Sequence, residues 1–127
     1  MKRVIKAENI YGMARIGYLG KNGKEELEVY INTNDNGENP HVHVRHPKNW
    51  DDFHTCIRID KAEYFLHGDK QDTLNAGQKK MFVKFMNQMV GGKFAGLIWD
   101  LCVFEWNRNN ERTPMEEDID MPDYNLL

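Results

Sequence analysis

The stretch Asn39-Pro-His-Val-His-Val-Arg-His46 carries the pattern from which the rest of the fold can be predicted. Polar and aliphatic residues alternate along it, and successive side chains of a β-strand point to opposite faces of the sheet. His41, His43 and Arg45 therefore share one face of a predicted strand, while the two valines between them share the other. At least two histidines are thus expected to be neighbours in space.

The same alternation predicts further strands on both sides of this one. Residues 26–32 and 54–60 alternate between apolar and polar and are rich in Val, Ile, Tyr and Thr, and residues 14–19 are the weakest strand candidate. The segments between them contain the Gly, Asn, Asp and Pro residues that are typical of turns. We therefore predict antiparallel hairpins, with residues 63–66 as a candidate fifth strand.

Apolar residues recur at helical spacing in the second half of the chain. Asn75 and Gln78 have the spacing of a capping box, and the helix that follows is expected to end at Gly91-Gly92. A second predicted helix, over residues 95–108, is apolar on most of its circumference. Such a helix must be deeply buried or shared with a partner, so a homodimer or a protein partner is expected.

These elements predict an α+β fold, with an antiparallel sheet of four to five strands and two C-terminal helices packed on one face. A chain of 127 residues that is 40% hydrophobic can bury one core, which we assign to a single domain over residues 1–110. Residues 111–127 are expected to form an acidic, flexible or loosely docked tail.

The distribution of charge bears on possible partners. Between Glu111 and Asp123 there are six acids and one base, so this segment carries −5 and leaves +2 for the rest of a chain whose total is −3. Nonspecific nucleic-acid binding depends on a large positive field. Nucleic acid is therefore kept as an alternative partner, although the net charge does not support it.

The sequence contains no pattern of a signal peptide or a membrane span, because no run of eighteen apolar residues occurs. Cys56 and Cys102 lie far apart without metal-finger spacing, which is typical of reduced packing thiols. We therefore expect a cytoplasmic protein that makes no membrane contact.

The parity of the strands divides the predicted sheet into two faces. If strands 26–32 and 41–45 pair, one register places Glu28 opposite Arg45 and Tyr30 opposite His43, and the opposite charges favour it. For the next pair of strands, His43 faces either Cys56 or Arg58. The predicted core face comprises Leu27, Val29, Ile31, Val42, Val44, Thr55, Ile57 and Ile59. The opposite face comprises Glu28, Tyr30, Asn32, His41, His43, Arg45, His54, Cys56, Arg58 and Asp60.

In the order of these motifs, the chain resembles a family of small bacterial proteins, domain-of-unknown-function family 4160. The family typically has a PPHxHV strand and a late AWN-like segment, which correspond here to residues 39–44 and 105–107. The resemblance covers about residues 29–110. It implies a context of toxin-antitoxin or related mobile-element modules, and it supplies no catalytic residues.

One interpretation of the polar face is a metal site. His41 and His43 could hold one divalent ion such as zinc, with His54 or Asp60 as a third ligand from the next strand. The arginines on the same face would oppose a bound cation. We predict no cofactor other than such an ion.

A second interpretation is phosphodiester chemistry of the RNase type. His41 and His43 would act as general base and general acid, Arg45 or Arg58 would stabilise the phosphate charge, and Tyr30 would orient it. The sequence leaves open whether the protein is an enzyme.

The third interpretation, which we favour at this point, is a solvated sheet face without helices. Such a face would serve as an interaction surface, with Tyr30, Trp50 and Arg45 as anchors. The expected function is then that of a small interaction or regulatory component of toxin-antitoxin type.

Overall fold

The computed structural model describes residues 8–10, 13–20, 26–33, 37–49, 51–65, 72–92, 94–116 and 118–127. Trp50 and Leu66 lie outside these residues. Five strands form one antiparallel sheet in chain order. They are β1 (Glu8–Ile10), β2 (Met13–Leu19), β3 (Leu27–Asn32), β4 (His41–Arg45) and β5 (His54–Arg58).

The pairing of the strands confirms the predicted register. Glu28 lies opposite Arg45 and Tyr30 opposite His43 in the β3–β4 pair. Of the two candidate registers for β4 and β5, the structure has His43 opposite Cys56. The fifth strand is β1, which pairs with β2, whereas the candidate segment after β5 contributes a single bridge from Tyr64 to Ile57.

Both predicted helices form, but the first ends at Met86, before the expected Gly91-Gly92. Helix α1 (Ala76–Met86) starts with the expected capping box, in which the Asn75 side chain accepts from Gln78 N at 2.8 Å. Helix α2 (Ile98–Asn109) begins later than predicted. The reason is a small two-stranded ladder between β6 (Met89–Val90) and β7 (Gly96–Leu97), which takes up the residues before it.

The apolar face of the sheet forms the core with both helices, as the α+β prediction requires. Helix α1 crosses β2 where Gly17 leaves room for the ring of Phe85. Helix α2 contributes Trp99, and its indole Nε1 donates to the carbonyl of Ile59 at 2.9 Å. The buried core residues of the sheet include Ala14, Leu19, Leu27, Val29, Ile31, Val42, Val44, Ile57 and Ile59.

The centre of the polar face is buried too, and the expectation of a solvated face without helices was wrong. His41 and His43 are 0% and 2% exposed, and Arg45 is 4% exposed. The ring of His41 stacks on Phe65 at 4.5 Å between centroids and lies 5.4 Å from that of Trp106 in α2. Aromatic rings from outside the strands therefore shield His41 from water.

The acidic C-terminal segment contacts the domain more closely than the expected flexible or loosely docked tail. Tyr124 begins a 3₁₀ turn (Tyr124–Leu126), and only 2% of its surface is exposed. Its hydroxyl lies 2.9 Å from the carbonyl oxygen of Ile59 and its ring packs edge-on against Phe82. No helix in the described part of the chain has the length and hydrophobicity that crossing a bilayer requires.

Candidate metal centre

Three buried side chains on β4 and β5 form a cluster that could hold a metal ion. His41, His43 and Cys56 each offer a ligand atom, and these atoms all lie within 4.8 Å of one another. The local structure explains the arrangement, because His41 and His43 are two positions apart on one strand. Cys56 is the residue directly opposite His43 on the neighbouring strand.

His41 is oriented by the backbone beside it. Its Nδ1 lies 2.7 Å from the carbonyl oxygen of Asn39, so Nδ1 carries the proton and Nε2 is left with a lone pair. This tautomer is assigned from the hydrogen bond. Nε2 also lies 3.9 Å from a carboxylate oxygen of Glu38. A histidine that donates its other N–H to a backbone carbonyl has the arrangement typical of a metal ligand.

His43 lies at the centre of the cluster. Its Nδ1 is 3.3 Å from Cys56 Sγ and 2.9 Å from His54 Nε2, and its Nε2 is 3.2 Å from the side-chain amide of Asn32. The ring is stacked between Tyr30 and His54, at centroid distances of 4.7 and 5.1 Å. Both faces and both nitrogens of the ring are therefore fixed by neighbours.

Of the two other predicted metal ligands, only one lies next to the cluster. His54 lies next to the cluster through its contact with His43. Asp60 instead accepts two hydrogen bonds from Arg58, at 2.9 and 2.8 Å. Asp60 is thus outside the cluster of His41, His43 and Cys56, and its carboxylate is the partner of an arginine two residues away.

The two arginines that the sequence predicted on the polar face are each paired with a carboxylate. Arg45 donates to Glu28, and its guanidinium also lies 4.3 Å from the ring centroid of Tyr30. The hydrogen bond and the charge of Asp60 raise the pKa of Arg58 above its ordinary value. The five residues predicted to be catalytic thus share one face, with both guanidinium groups already bound to anions.

Cys56 is the member of the cluster that the sequence interpretation missed as a ligand. Its parity placed it on the histidine face, and one of the two candidate registers placed it opposite His43. The signal was therefore present, but the lack of finger-like cysteine spacing led to its assignment as a packing thiol. A single cysteine reaches a metal site through strand pairing, which sequence spacing does not reveal.

Comparison of the chain with protein-family models, with curated proteins and with solved structures gave no match. The resemblance to a family of unknown function stays a prediction.

Proposed function

We propose that this protein binds one zinc-class divalent ion at His41, His43 and Cys56, and that the ion has a structural role. The observation that supports this proposal is the convergence of three donor atoms within 4.8 Å inside a buried region. Two imidazole nitrogens and one thiolate are a donor set that suits zinc and other borderline metals.

One distance between candidate ligand atoms matches that expected around a bound ion. With Zn–N bonds of about 2.0–2.1 Å and a Zn–S bond of about 2.3 Å, tetrahedral ligand atoms lie roughly 3.3–3.6 Å apart. The distance from His43 Nδ1 to Cys56 Sγ is already 3.3 Å. An ion held between these two atoms would replace the present contact of His43 Nδ1 with His54 Nε2. His54 Nε2, which lies 2.9 Å from His43 Nδ1, is a further nitrogen donor on the same face.

The positive charges on this face do not oppose a cation as strongly as the sequence suggested. Glu28 offsets Arg45 at 2.8 Å, and Asp60 offsets Arg58 at 2.8 Å. A thiolate from Cys56 would also compensate part of the charge of the ion. The electrostatic argument against a metal is therefore weak.

Burial favours a structural ion over a catalytic one. A catalytic zinc keeps a position open to water and substrate, whereas a structural zinc is closed by protein. The three ligands are 0%, 2% and 1% exposed. The same burial argues against RNase chemistry, because His41 and His43 would have to reach the atoms of a substrate.

A role as an interaction or regulatory component of toxin-antitoxin type stays a proposal that rests on the family resemblance. If a partner binds, Tyr30 and Arg45 are unsuitable anchors, because they are 2% and 4% exposed. Phe104 and Met89, with 43% and 69% of their surface exposed, are better candidates.

The test is the metal content of tag-free protein, measured by elemental analysis after purification and after zinc titration. We expect one ion per chain in the wild type and none above background in Cys56→Ser or His43→Ala. His54→Ala should weaken binding without abolishing it. Cobalt substitution should give the absorption bands of tetrahedral coordination with one sulfur ligand.

Cys102→Ser is the matched control, because Cys102 is a fully buried cysteine of α2 that belongs to the core. It should keep the metal stoichiometry of the wild type. Equal metal content in Cys56→Ser and Cys102→Ser, or a wild type that binds no zinc at all, would contradict the proposal.

A further inference from the structure

A groove of about 600 Å³ lies between the end of β2 and one side of α1, away from the metal cluster. Its apolar part is formed by Leu19, Met81 and Phe85, of which Leu19 and Phe85 are buried. Ligand sites in proteins are typically concave, mostly apolar and about 300–1,000 Å³ in volume. The groove has the dimensions of a small-molecule site.

The charged side chains of the groove all have the same sign. Lys80 and Lys84 lie one turn apart on α1, and both line the groove and are exposed. Side chains four residues apart on a helix are neighbours on its surface. Among the described residues that line the groove there is no carboxylate to offset them. The groove therefore combines an apolar floor with a local positive potential.

The glycines of the lining make the groove accessible. Gly20 follows β2 and Gly77 lies in the first turn of α1, so neither wall is narrowed by a side chain at these positions. Tyr18 adds a partly buried aromatic ring on the β2 side. An aromatic or branched aliphatic group would contact this ring and the floor together.

We propose that this groove binds a small organic anion with an apolar body, of the aryl or branched-alkyl carboxylate class. The apolar body would lie on Met81 and Phe85, and the carboxylate would face Lys80 and Lys84. A lysine ammonium acts as a point charge without a fixed fork of donors, so the site selects for charge and size and only loosely for the shape of the acid group. This inference is independent of the metal centre.

The groove favours a small molecule over a peptide strand. The volume suits a ligand of one or two rings. The two lysines provide recognition for one acid group and not for an extended acidic chain.

The test uses anilinonaphthalene sulfonate, an anion with an aromatic body, whose fluorescence reports transfer from water to an apolar site. We expect saturable binding to one site per chain, and displacement by naphthoate. The variant Lys80→Gln/Lys84→Gln should weaken binding about ten-fold, or about three-fold for each exposed charge pair. Binding should also weaken as the salt concentration rises.

The matched control is Lys48→Gln/Lys61→Gln, which changes the net charge equally at two exposed lysines outside the groove. It should bind the probe as the wild type does. Phenylnaphthylamine, which lacks the sulfonate, should bind the wild type and Lys80→Gln/Lys84→Gln equally. Circular dichroism and urea unfolding would establish that all variants are folded.

Three outcomes would overturn the inference. The first is the absence of saturable binding by the folded wild type. The second is equal weakening by the two lysine pairs, since the effect would then come from net charge alone. The third is probe binding that naphthoate does not displace, because the fluorescence would then not report a carboxylate site.

Discussion

Arg45 donates from Nε and Nη2 to the same carboxylate oxygen of Glu28, at 3.0 and 2.8 Å, across the β3–β4 pair. Both side chains are almost fully buried, with 4% and 3% of their surface exposed. The second oxygen of Glu28 lies 3.3 Å from Nε of Arg15 on β2. The carboxylate thus links three adjacent strands on the buried polar face.

Glu28→Ala is therefore expected to lower the free energy of unfolding by about 3–5 kcal/mol, because it leaves a buried guanidinium without its counter-charge. Urea unfolding measures the change. Glu28→Leu/Arg45→Met should recover much of the loss, since replacing a buried ion pair by apolar residues is often neutral or stabilising. Glu26→Ala, at an exposed position before β3, is the control and should change stability by no more than about 0.5 kcal/mol. Equal effects of Glu28→Ala and Glu26→Ala would contradict this account.

The pairing of strands could be predicted from the sequence because local features specify it. Alternation assigned each side chain to a face, and the opposite charges of Glu28 and Arg45 favoured one register. The choice between Cys56 and Arg58 opposite His43 could not be made, because the two registers differ by two residues and leave every side chain on the same face.

Burial of the polar face could not be predicted from the strands. At His41 it depends on Phe65 and Trp106, which come from segments distant in sequence and cover the ring. The docking of the C-terminal segment likewise depends on isolated apolar residues, such as Met115 and Tyr124, that pack into the core although their neighbours in sequence are exposed. Both features are tertiary contacts that no local pattern encodes. The cluster of His41, His43 and Cys56 becomes a candidate metal site only because the centre of the polar face is buried.

The close approach of Gly17 to Phe85 gives a second prediction. A Cβ at Gly17 would lie 2.9 Å from Cε1 of the Phe85 ring, closer than real side chains come. Gly17→Ala should therefore destabilise the protein by about 1–3 kcal/mol, the cost of overpacking a core. Thermal or urea unfolding would measure the loss, and Phe85→Leu in the same chain should reduce it.

Gly91→Ala is the control for this substitution. Nothing lies within 4 Å of a Cβ at Gly91, so the variant should be neutral or slightly more stable than the wild type. If Gly17→Ala and Gly91→Ala have the same stability, the contact with Phe85 does not constrain the sheet.

The buried thiol of Cys102 is expected to react more slowly than an exposed thiol. Burial, followed by the nearby charge of Glu105, raises the pKa of the Cys102 thiol, so little reactive thiolate forms at neutral pH. In Cys56→Ser, labelling with a thiol reagent should therefore be slow in buffer and fast in urea. Fast labelling of this variant under native conditions would show that α2 opens far more readily than its packing implies.

The burial of the Tyr124 phenol predicts how the free energy of unfolding changes at alkaline pH. Burial is the main cause that raises the pKa of its phenol above the ordinary value of 10.0. Below about pH 10 the phenol is neutral in the folded and the unfolded chain, and the hydrogen bond to Ile59 contributes about 0.5–1.5 kcal/mol. Above that pH the unfolded chain releases a proton that the folded chain retains, so the free energy of unfolding falls as pH rises.

Tyr124→Phe should therefore be less stable than the wild type at neutral pH and should lose less stability as the pH rises above about 10. The variant has no phenol to ionise at this position, whereas the other tyrosines are common to both proteins and cancel in the difference. Urea unfolding of both proteins from neutral pH to about pH 11 measures this difference. A difference that stays constant over that range would mean that Tyr124 ionises as easily in the folded protein as in the unfolded chain, and that the C-terminal segment is not docked in solution.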